Sequence, residues 1–514
     1  MPGSLPNRDL GSFCRHLEQR GELVRVREPA DPYLEITELA DRFVKTGRSP
    51  ALLFEEPRPG PLGQAAGCAT VARAADGRPV PLLINLFASP RRLAWALGCE
   101  AIEEAAGKIE AALQAGAPNG LWEKLRMLGK LKEWSGALPK SVGRGACQEI
   151  VVQGDELDRR GLLDLMPVLT TWPQDGGPYI TLPLVITRHP DSGRRNIGLY
   201  RLQVFDGRTT GMHWQVHKTG AAHHDLYERR GSRMPVCVAI GGPPALTYAA
   251  TAPLPEDIDE ALLAGFLTGS PITFTKALTC DLEVPAEADF VIEGYVEPGE
   301  RRVEGPFGDH TGFYSLAEPF PVFHVTAITS RRAPIYLTTI VGRPPMEDGV
   351  LGWATERLFL PLLRAALPEI VDLHLPVAAC FHNLALVSIR KRFPGHARKV
   401  CHALWGMGQM MFTKTIVVVD EDVNVQDPHE TLWRASNAVD PARDTFTVTG
   451  PVDQLDHTTS VALIGGKMGI DATRKWPGED GYARQWPPVI EMSAAVKQLV
   501  DAKWRELLER ARTS

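Results

Sequence analysis

The feature that most constrains this chain is a change of rhythm near residue 334. Before it, from Glu149 to Ser330, apolar segments are short, β-branched and separated by turns, as in Ile180–Thr187, Asn196–Phe205, Val236–Ile240, Phe290–Val296 and Val322–Ile328. Such runs predict a mainly β unit, a barrel, interrupted by one helix at Ile258–Leu267 behind the Pro253-Leu-Pro255 breaker. After it the pattern alternates: strand Ile335–Ile340, helix Trp353–Ala366, strand Leu384–Ile389, helix His396–Met411, strand Thr415–Asp420, then a helix near Pro428–Asn437. Strand–helix repetition predicts an α/β layer on a mostly parallel sheet.

The N-terminal part has its own pattern: a helix over Asp9–Arg20, a strand over Glu22–Arg27, apolar runs at Ala51–Phe54 and Val80–Phe87, and a helix over Ala101–Ala115. The Pro/Gly/Lys-containing stretch Gly116–Gly145 breaks this rhythm and marks a junction. A chain of 514 residues exceeds what one core usually organises. We therefore expect a multidomain α/β (α+β) protein, divided into an N-terminal α/β region (1–120), a central β domain (121–332) and a C-terminal α/β domain (333–514). The closing segment Ala494–Arg512 is an amphipathic helix carrying Val496, Leu499, Val500, Trp504 and Leu508, the pattern of a packing or dimer arm.

Composition narrows the function. A net charge of -6 without a long basic run gives no general attraction for nucleic acid. The opening MPGSLPNRDLGSF lacks a basic segment followed by an apolar core, and no uncharged apolar stretch reaches about 18 residues, so a cytoplasmic protein is expected. The eight cysteines are scattered without a C-x-x-C pair and read as reduced thiols.

Four constellations carry chemistry. Asn196-Ile-Gly-Leu-Tyr-Arg201 offers a neutral oxygen ligand and a guanidinium fork suited to carboxylate or phosphate. Residues five apart on a regular strand face opposite sides, so both serve one site only if the strand bends or Asn196 lies at its end. The ordinary alternative is a surface arginine beside a turn asparagine. Met212-His-Trp-Gln-Val-His217 places two histidines four apart, on one face of either a strand or a helix, but lacks the glutamate of a zinc protease motif. Glu304-Gly-Pro-Phe-Gly-Asp309-His-Thr-Gly312 brackets a tight turn with two acids, which can aim both carboxyl groups at one point and separate their titration. Glu260, at the start of the predicted helix, is by itself no more than an acid favoured by the helix dipole.

Taken together, these phrases resemble the UbiD family of prenylated-flavin-dependent decarboxylases, nearest to its 3-polyprenyl-4-hydroxybenzoate decarboxylase branch. The likeness is carried by RNIGLYRLQ from Arg195, TGMHWQVHK from Thr210, APLPEDIDEALLAG from Ala252, EGPFGDHTGFY from Glu304, GRPPMED from Gly342, FPGHARKV from Phe393, VDPARDT from Val439 and KMGIDATRKWPGE from Lys467. It implies a central split β-barrel that binds prenylated FMN, and a C-terminal α/β domain that builds a homodimer or homohexamer. It implies a divalent cation, commonly manganese, on Asn196 and Glu260 with His213 as third ligand and His217 as its competitor; K+ is a further candidate cation. The stretches Leu199-Tyr-Arg201, His213-Trp-Gln215 and Lys218-Thr219 match those that hold the cofactor, and Lys414 adds a phosphate contact. Arg201, Glu304 and Asp309 match the catalytic network, with Asp309 as proton donor.

The resemblance further implies an aromatic or α,β-unsaturated carboxylic acid as substrate and a flavin prenyltransferase as supplier of the cofactor. A polyprenylated substrate would add peripheral contact with a membrane. Two rival readings are an FMN-dependent oxidoreductase and a non-catalytic flavin-binding subunit. The acid pair tells against the first, because hydride transfer needs none.

Overall fold

At the N-terminus the Asp9 carboxylate accepts the Ser12 amide at 2.8 Å and caps the helix Leu10–Gln19, whose Leu10, Phe13, Cys14 and Leu17 form one buried stripe. The computed structural model describes residues 7–115, 136–255 and 258–513. Beside this helix lies a four-stranded sheet in the order Leu23–Val26, Ala51–Phe54, Leu82–Ile84 and Tyr336–Leu337. The last strand corrects an expectation. The segment 335–340 does not open the C-terminal layer; Tyr336 pairs in parallel with Leu82, and both are fully buried. A short apolar run shows that it is buried, but its partner is set by tertiary packing that periodicity does not report. The expected junction at Gly116–Gly145 falls largely on residues outside those described; Lys140–Ser141 pairs with Thr273–Phe274.

The central unit is a seven-stranded, wholly antiparallel sheet. Its main path runs Thr209–Gly211, Glu318–Ser330, Phe290–Glu304, Met234–Ile240, Leu184–Arg188 and Arg195–Leu199, with Ile150–Gln153 paired to Glu318–Ser330. A three-stranded and a two-stranded sheet accompany it. The two longest strands extend well past the expected Phe290–Val296 and Val322–Ile328: residues 297–303 are mostly polar and half-buried or exposed, and the 318–321 extension carries two prolines, so neither shows the apolar alternation of a core strand. That extension carries Glu304 beyond the apolar half of its strand, where its side chain is again buried. Arg195–Leu199 is an edge strand, and the helix Glu260–Thr268 starts against it.

The C-terminal sheet has the order Ile370–His374, Leu384–Ile389, Thr415–Asp420, Ile464–Asp471 and Thr445–Pro451. Its three middle strands are parallel, but both outer strands pair antiparallel, so the sheet is mixed rather than mostly parallel. The strands Thr445–Pro451 and Ile464–Asp471 went unseen because the first is half-exposed and the second is rich in glycine. The helix Glu347–Ala366 and the helix His396–Trp405 lie against it, the second shorter than expected, ending at Gly406 before a 3-10 turn over Gly408–Phe412. The terminal helix Ala494–Thr513 leaves Leu499 and Trp504 exposed on this single chain. All eight cysteines are free thiols, and no helix among the described residues is long and apolar enough to cross a membrane.

Where the two longest strands cross, a register shift lies at Glu293/Gly294, and a Cβ on Gly294 would stand 1.9 Å from the His324 carbonyl oxygen. Gly294→Ala should therefore force the strands apart and cost about 1–3 kcal/mol. A clearly lowered thermal unfolding midpoint is the expected result, and an unchanged midpoint would contradict the packing.

Candidate active site

Arg201 owes its position to a break. The expected strand Asn196–Phe205 is two strands, Arg195–Leu199 and Leu202–Gln203, with Tyr200 and Arg201 between them. The break frees Arg201 from the strict alternation of the strand that carries Asn196. Opposite Arg201, the strand Phe290–Glu304 ends in the turn that holds Asp309.

The three side chains touch. Arg201 Nε donates to Glu304 Oε1 at 2.9 Å, and Arg201 Nη1 donates to Asp309 Oδ2. The Arg201 guanidinium also lies over the Phe307 ring, its Cζ 4.6 Å from the centroid, and donates to Ser315 Oγ at 3.3 Å. Glu304 completes its bonding through His213 Nδ1 at 3.1 Å, so His213 belongs to the same cluster. Burial pushes both carboxyl groups up, yet neighbouring charge wins in each case. The His213 bond and the Arg201 charge hold Glu304 below the usual carboxylate range, and Arg201 with His310 holds Asp309 well below it. Both acids are therefore ionised at neutral pH in the resting protein.

The turn is held by residues that the sequence did not single out. Asp175 Oδ1 accepts the Gly308 amide at 2.8 Å, and Gln203 Oε1 accepts the Gly305 amide at 2.8 Å. Trp172 packs so closely that a Cβ on Gly308 would lie 2.1 Å from its ring. Asp175 and Gln203 are distant in sequence from the turn, and no local pattern reveals them. His310 was missed although it stands inside the quoted motif: its ring Nδ1 meets Asp309 Oδ1 at 3.0 Å.

A second cluster gathers around Asn196. The Glu260 carboxylate accepts the Ile197 amide at 3.0 Å, capping the free edge of the strand beside Asn196, and burial pushes its pKa up to about 8. Asn196 donates to Thr187 Oγ1 at 3.5 Å, and the Tyr200 hydroxyl accepts the Gly220 amide at 3.2 Å. Lys218 and Thr219 begin the helix Thr219–Arg229, and burial lowers the Lys218 pKa. Leu199 and Gln215 are partly buried nearby in sequence. Two ring nitrogens, His213 Nε2 and Trp214 Nε1, are buried with no hydrogen-bond partner, which is costly unless something polar meets them.

Two further named residues hold other partners in this structure. His217 does not share a face with His213: the segment 212–218 is an irregular turn, so neither strand nor helix spacing applies, and the exposed His217 packs against Phe412 with ring centroids 5.1 Å apart. Lys414 lies in the C-terminal unit, where its ammonium is taken by Asp456 and Thr458, each at 2.8 Å. The two units nevertheless meet here, since the Val216 amide donates to Gln454 Oε1 at 3.3 Å.

Removing the shared cation should be severe. Arg201→Ala leaves two buried carboxylates uncompensated and should destabilise the protein by about 3–5 kcal/mol at neutral pH. Asp309 has a depressed folded pKa, so its contribution is present above its unfolded value and fades as pH falls. The gap in thermal midpoint between wild type and variant should thus persist from neutrality down to about pH 4 and narrow below it; a gap independent of pH would contradict the assignment of charge.

Comparison with known proteins identifies the family. Sequence profiles of the 3-octaprenyl-4-hydroxybenzoate carboxy-lyase N-terminal, Rift-related and C-terminal domains match residues 14–111, 140–344 and 349–472. A protein of Aquifex aeolicus (strain VF5), described only as uncharacterized, is 51% identical over 502 residues, covering 97% of this chain and 98% of its own. The vanillic acid decarboxylase of Sedimentibacter hydroxybenzoicus in closed form superposes with a TM-score of 0.80 at 26% identity, covering 99% of each chain. An evolved dimeric form of the UbiD-class enzyme HmfF from Pelotomaculum thermopropionicum, solved with prFMN, gives 0.72 at 30% identity, covering 94% of this chain and 97% of that one. With all three domains matched in order along most of its length, the chain belongs to the UbiD family of carboxy-lyases.

Proposed function

We propose that this protein is a prenylated-FMN-dependent decarboxylase of an aromatic or α,β-unsaturated carboxylic acid, with Arg201, Glu304 and Asp309 as its catalytic residues. The observation that carries the reading is the buried contact of one guanidinium with two carboxylates, in a fold whose relatives include a vanillic acid decarboxylase and a prFMN complex. Hydride transfer calls for no such acid pair, and a binding-only subunit gains nothing from burying three charges.

The residues around Asn196 fit a divalent cation. An amide oxygen, a buried carboxylate that lacks a full counter-charge and a buried imidazole nitrogen without a partner form a donor set suited to manganese or a similar ion. We assign the ion to Asn196, Glu260 and His213, and the flavin to Leu199, Tyr200, Arg201, His213, Trp214, Gln215, Lys218 and Thr219. His213 then links the two clusters, with Nδ1 on Glu304 and Nε2 free for the ion. When bound, the flavin supplies an electron-accepting centre for the pair left on an sp² carbon by departing carbon dioxide, and the cation neutralises its phosphate.

The chain's own residues do the rest. Arg201 draws the substrate carboxylate in, and Glu304 keeps that guanidinium charged and oriented. A substrate carboxylate beside Arg201 competes for its donors and adds negative charge, and both effects raise Asp309 toward its acid form. Protonated Asp309 then delivers the hydrogen that replaces carbon dioxide. Burial of the cluster excludes bulk water, which would screen these interactions.

We further propose the division into units 1–120, 121–332 and 333–514, with Tyr336–Leu337 returning to the first unit's sheet. The exposed apolar face of Ala494–Thr513 suits a homodimer or homohexamer arm. A cytoplasmic flavin prenyltransferase would supply the cofactor, and a polyprenylated acid would bring the protein to a membrane surface.

Asp309→Asn or Glu304→Gln should lower carbon dioxide release by at least about a hundredfold while flavin still binds; full activity in either variant would refute the roles. Asn196→Ala or Glu260→Ala should instead lose metal and flavin together, measured by elemental analysis and absorbance of the purified protein. Retention of both in these variants would remove the assigned cation site.

A further inference from the structure

Decarboxylation followed by protonation consumes one proton per turnover: RCO2− + H+ gives RH + CO2. Asp309 is ionised at rest, so each cycle must recharge it. Behind it lies a chain of imidazoles. His310 Nδ1 meets Asp309 Oδ1 at 3.0 Å, and His310 Nε2 meets His382 Nε2 at 2.8 Å, across the junction between the catalytic turn and the C-terminal unit. Two bare lone pairs would repel and two N–H groups would clash at that distance, so one hydrogen lies between the rings. The far nitrogen, His382 Nδ1, is buried without a partner. His382 is held by an unusual backbone, Cys380 and Phe381 before it having φ of 55° and 46°.

We propose that His310 and His382 form a proton relay that recharges Asp309 from the side of the C-terminal unit. This rests on the reading of Asp309 as proton donor. In the charged pair hydrogens sit on His310 Nδ1, between the two Nε2 atoms and on His382 Nδ1, and His310 Nδ1–H passes to Asp309, leaving two neutral rings. Asp309 gives that proton to the carbon that has lost carbon dioxide, and one proton taken from water on the His382 side restores the charged pair, so each cycle takes up one proton and delivers one.

The surroundings suit a loaded relay. Burial alone would lower both histidines. The Asp309 bond, with Asp348 on the helix Glu347–Ala366 and Asp453, instead lifts His310 to about 9. His382 is lowered to about 4 by burial and the His310 charge, against Asp453 and Asp456, while Lys414 adds to the lowering. The pair thus holds one extra proton across neutral pH, next to the carboxylate that needs it. His310 and His382 act through Asp309 and are positioning residues, not catalytic ones.

The flavin-loaded, full-length protein provides the test. His382→Ala should lose about tenfold or more in kcat with KM little changed, and added imidazole should restore the rate in proportion to its concentration, whereas wild type ignores imidazole. Wild-type kcat in His382→Ala, or a loss that imidazole does not relieve and that leaves the pH profile unshifted, overturns the relay. Asp309→Asn should stay inactive at every imidazole concentration; if it is active, the donor reading of Asp309 falls instead. A second readout needs no cofactor. In ¹⁵N-histidine spectra of the unloaded protein, one ring should keep hydrogens on both nitrogens up to about pH 9 and vanish in His310→Asn. Two neutral rings at neutral pH contradict the proposal.

Discussion

Everything in this site hangs on one guanidinium. Arg201 is almost fully buried and bonds to both Glu304 and Asp309. Burying these charges is expensive, and a well-packed apolar cluster would often be as stable or more so. The arrangement therefore makes little sense as a stabilising device. It makes sense as a preorganised field, in which a fixed cation and two fixed anions await a substrate that is itself a carboxylate. The cost is met by geometry: a strand that breaks at Tyr200–Arg201, a long strand that ends at Glu304, and a turn pinned by Asp175, Gln203 and Trp172.

The cluster draws on distant parts of the chain. The central sheet supplies Arg201, Glu304 and, at its edge, Asn196 beside Glu260. The C-terminal unit supplies His382, and its loop through Gln454 touches the segment that carries His213 and His217. The N-terminal sheet takes Tyr336–Leu337 as its edge strand, which ties the chain between the other two parts to it.

What could be read from the residues divides along local and non-local lines. The strands Ala51–Phe54, Leu384–Ile389 and Thr415–Asp420 and the helices near Leu10 and Ile102 are visible because burial imposes a period on neighbours in sequence. The Glu304/Asp309 turn was visible because glycine, proline and paired acids leave a turn few alternatives, and the resemblance joined it to an arginine about a hundred positions away. Tyr336–Leu337 was misplaced, and the antiparallel edges of the C-terminal sheet were unseen, because partner choice leaves no periodic trace. Asp175 and Gln203 act on backbone amides far along the chain, and His217 was paired with His213 by a spacing that an irregular turn does not respect. His310 and His382, seventy-two positions apart, become a pair only once the third unit folds against the second.

The central claim is that this charged cluster sheds carboxylates from unsaturated carbon with the help of a prenylated flavin. Its most direct test is co-production with a flavin prenyltransferase, followed by assay of aromatic and acrylic acids for carbon dioxide release in deuterated water. The account predicts release from at least one such acid, only in the flavin-loaded protein, with a single deuterium at the vacated carbon. A fully loaded protein that releases none, and whose flavin is bleached by NAD(P)H, would contradict it.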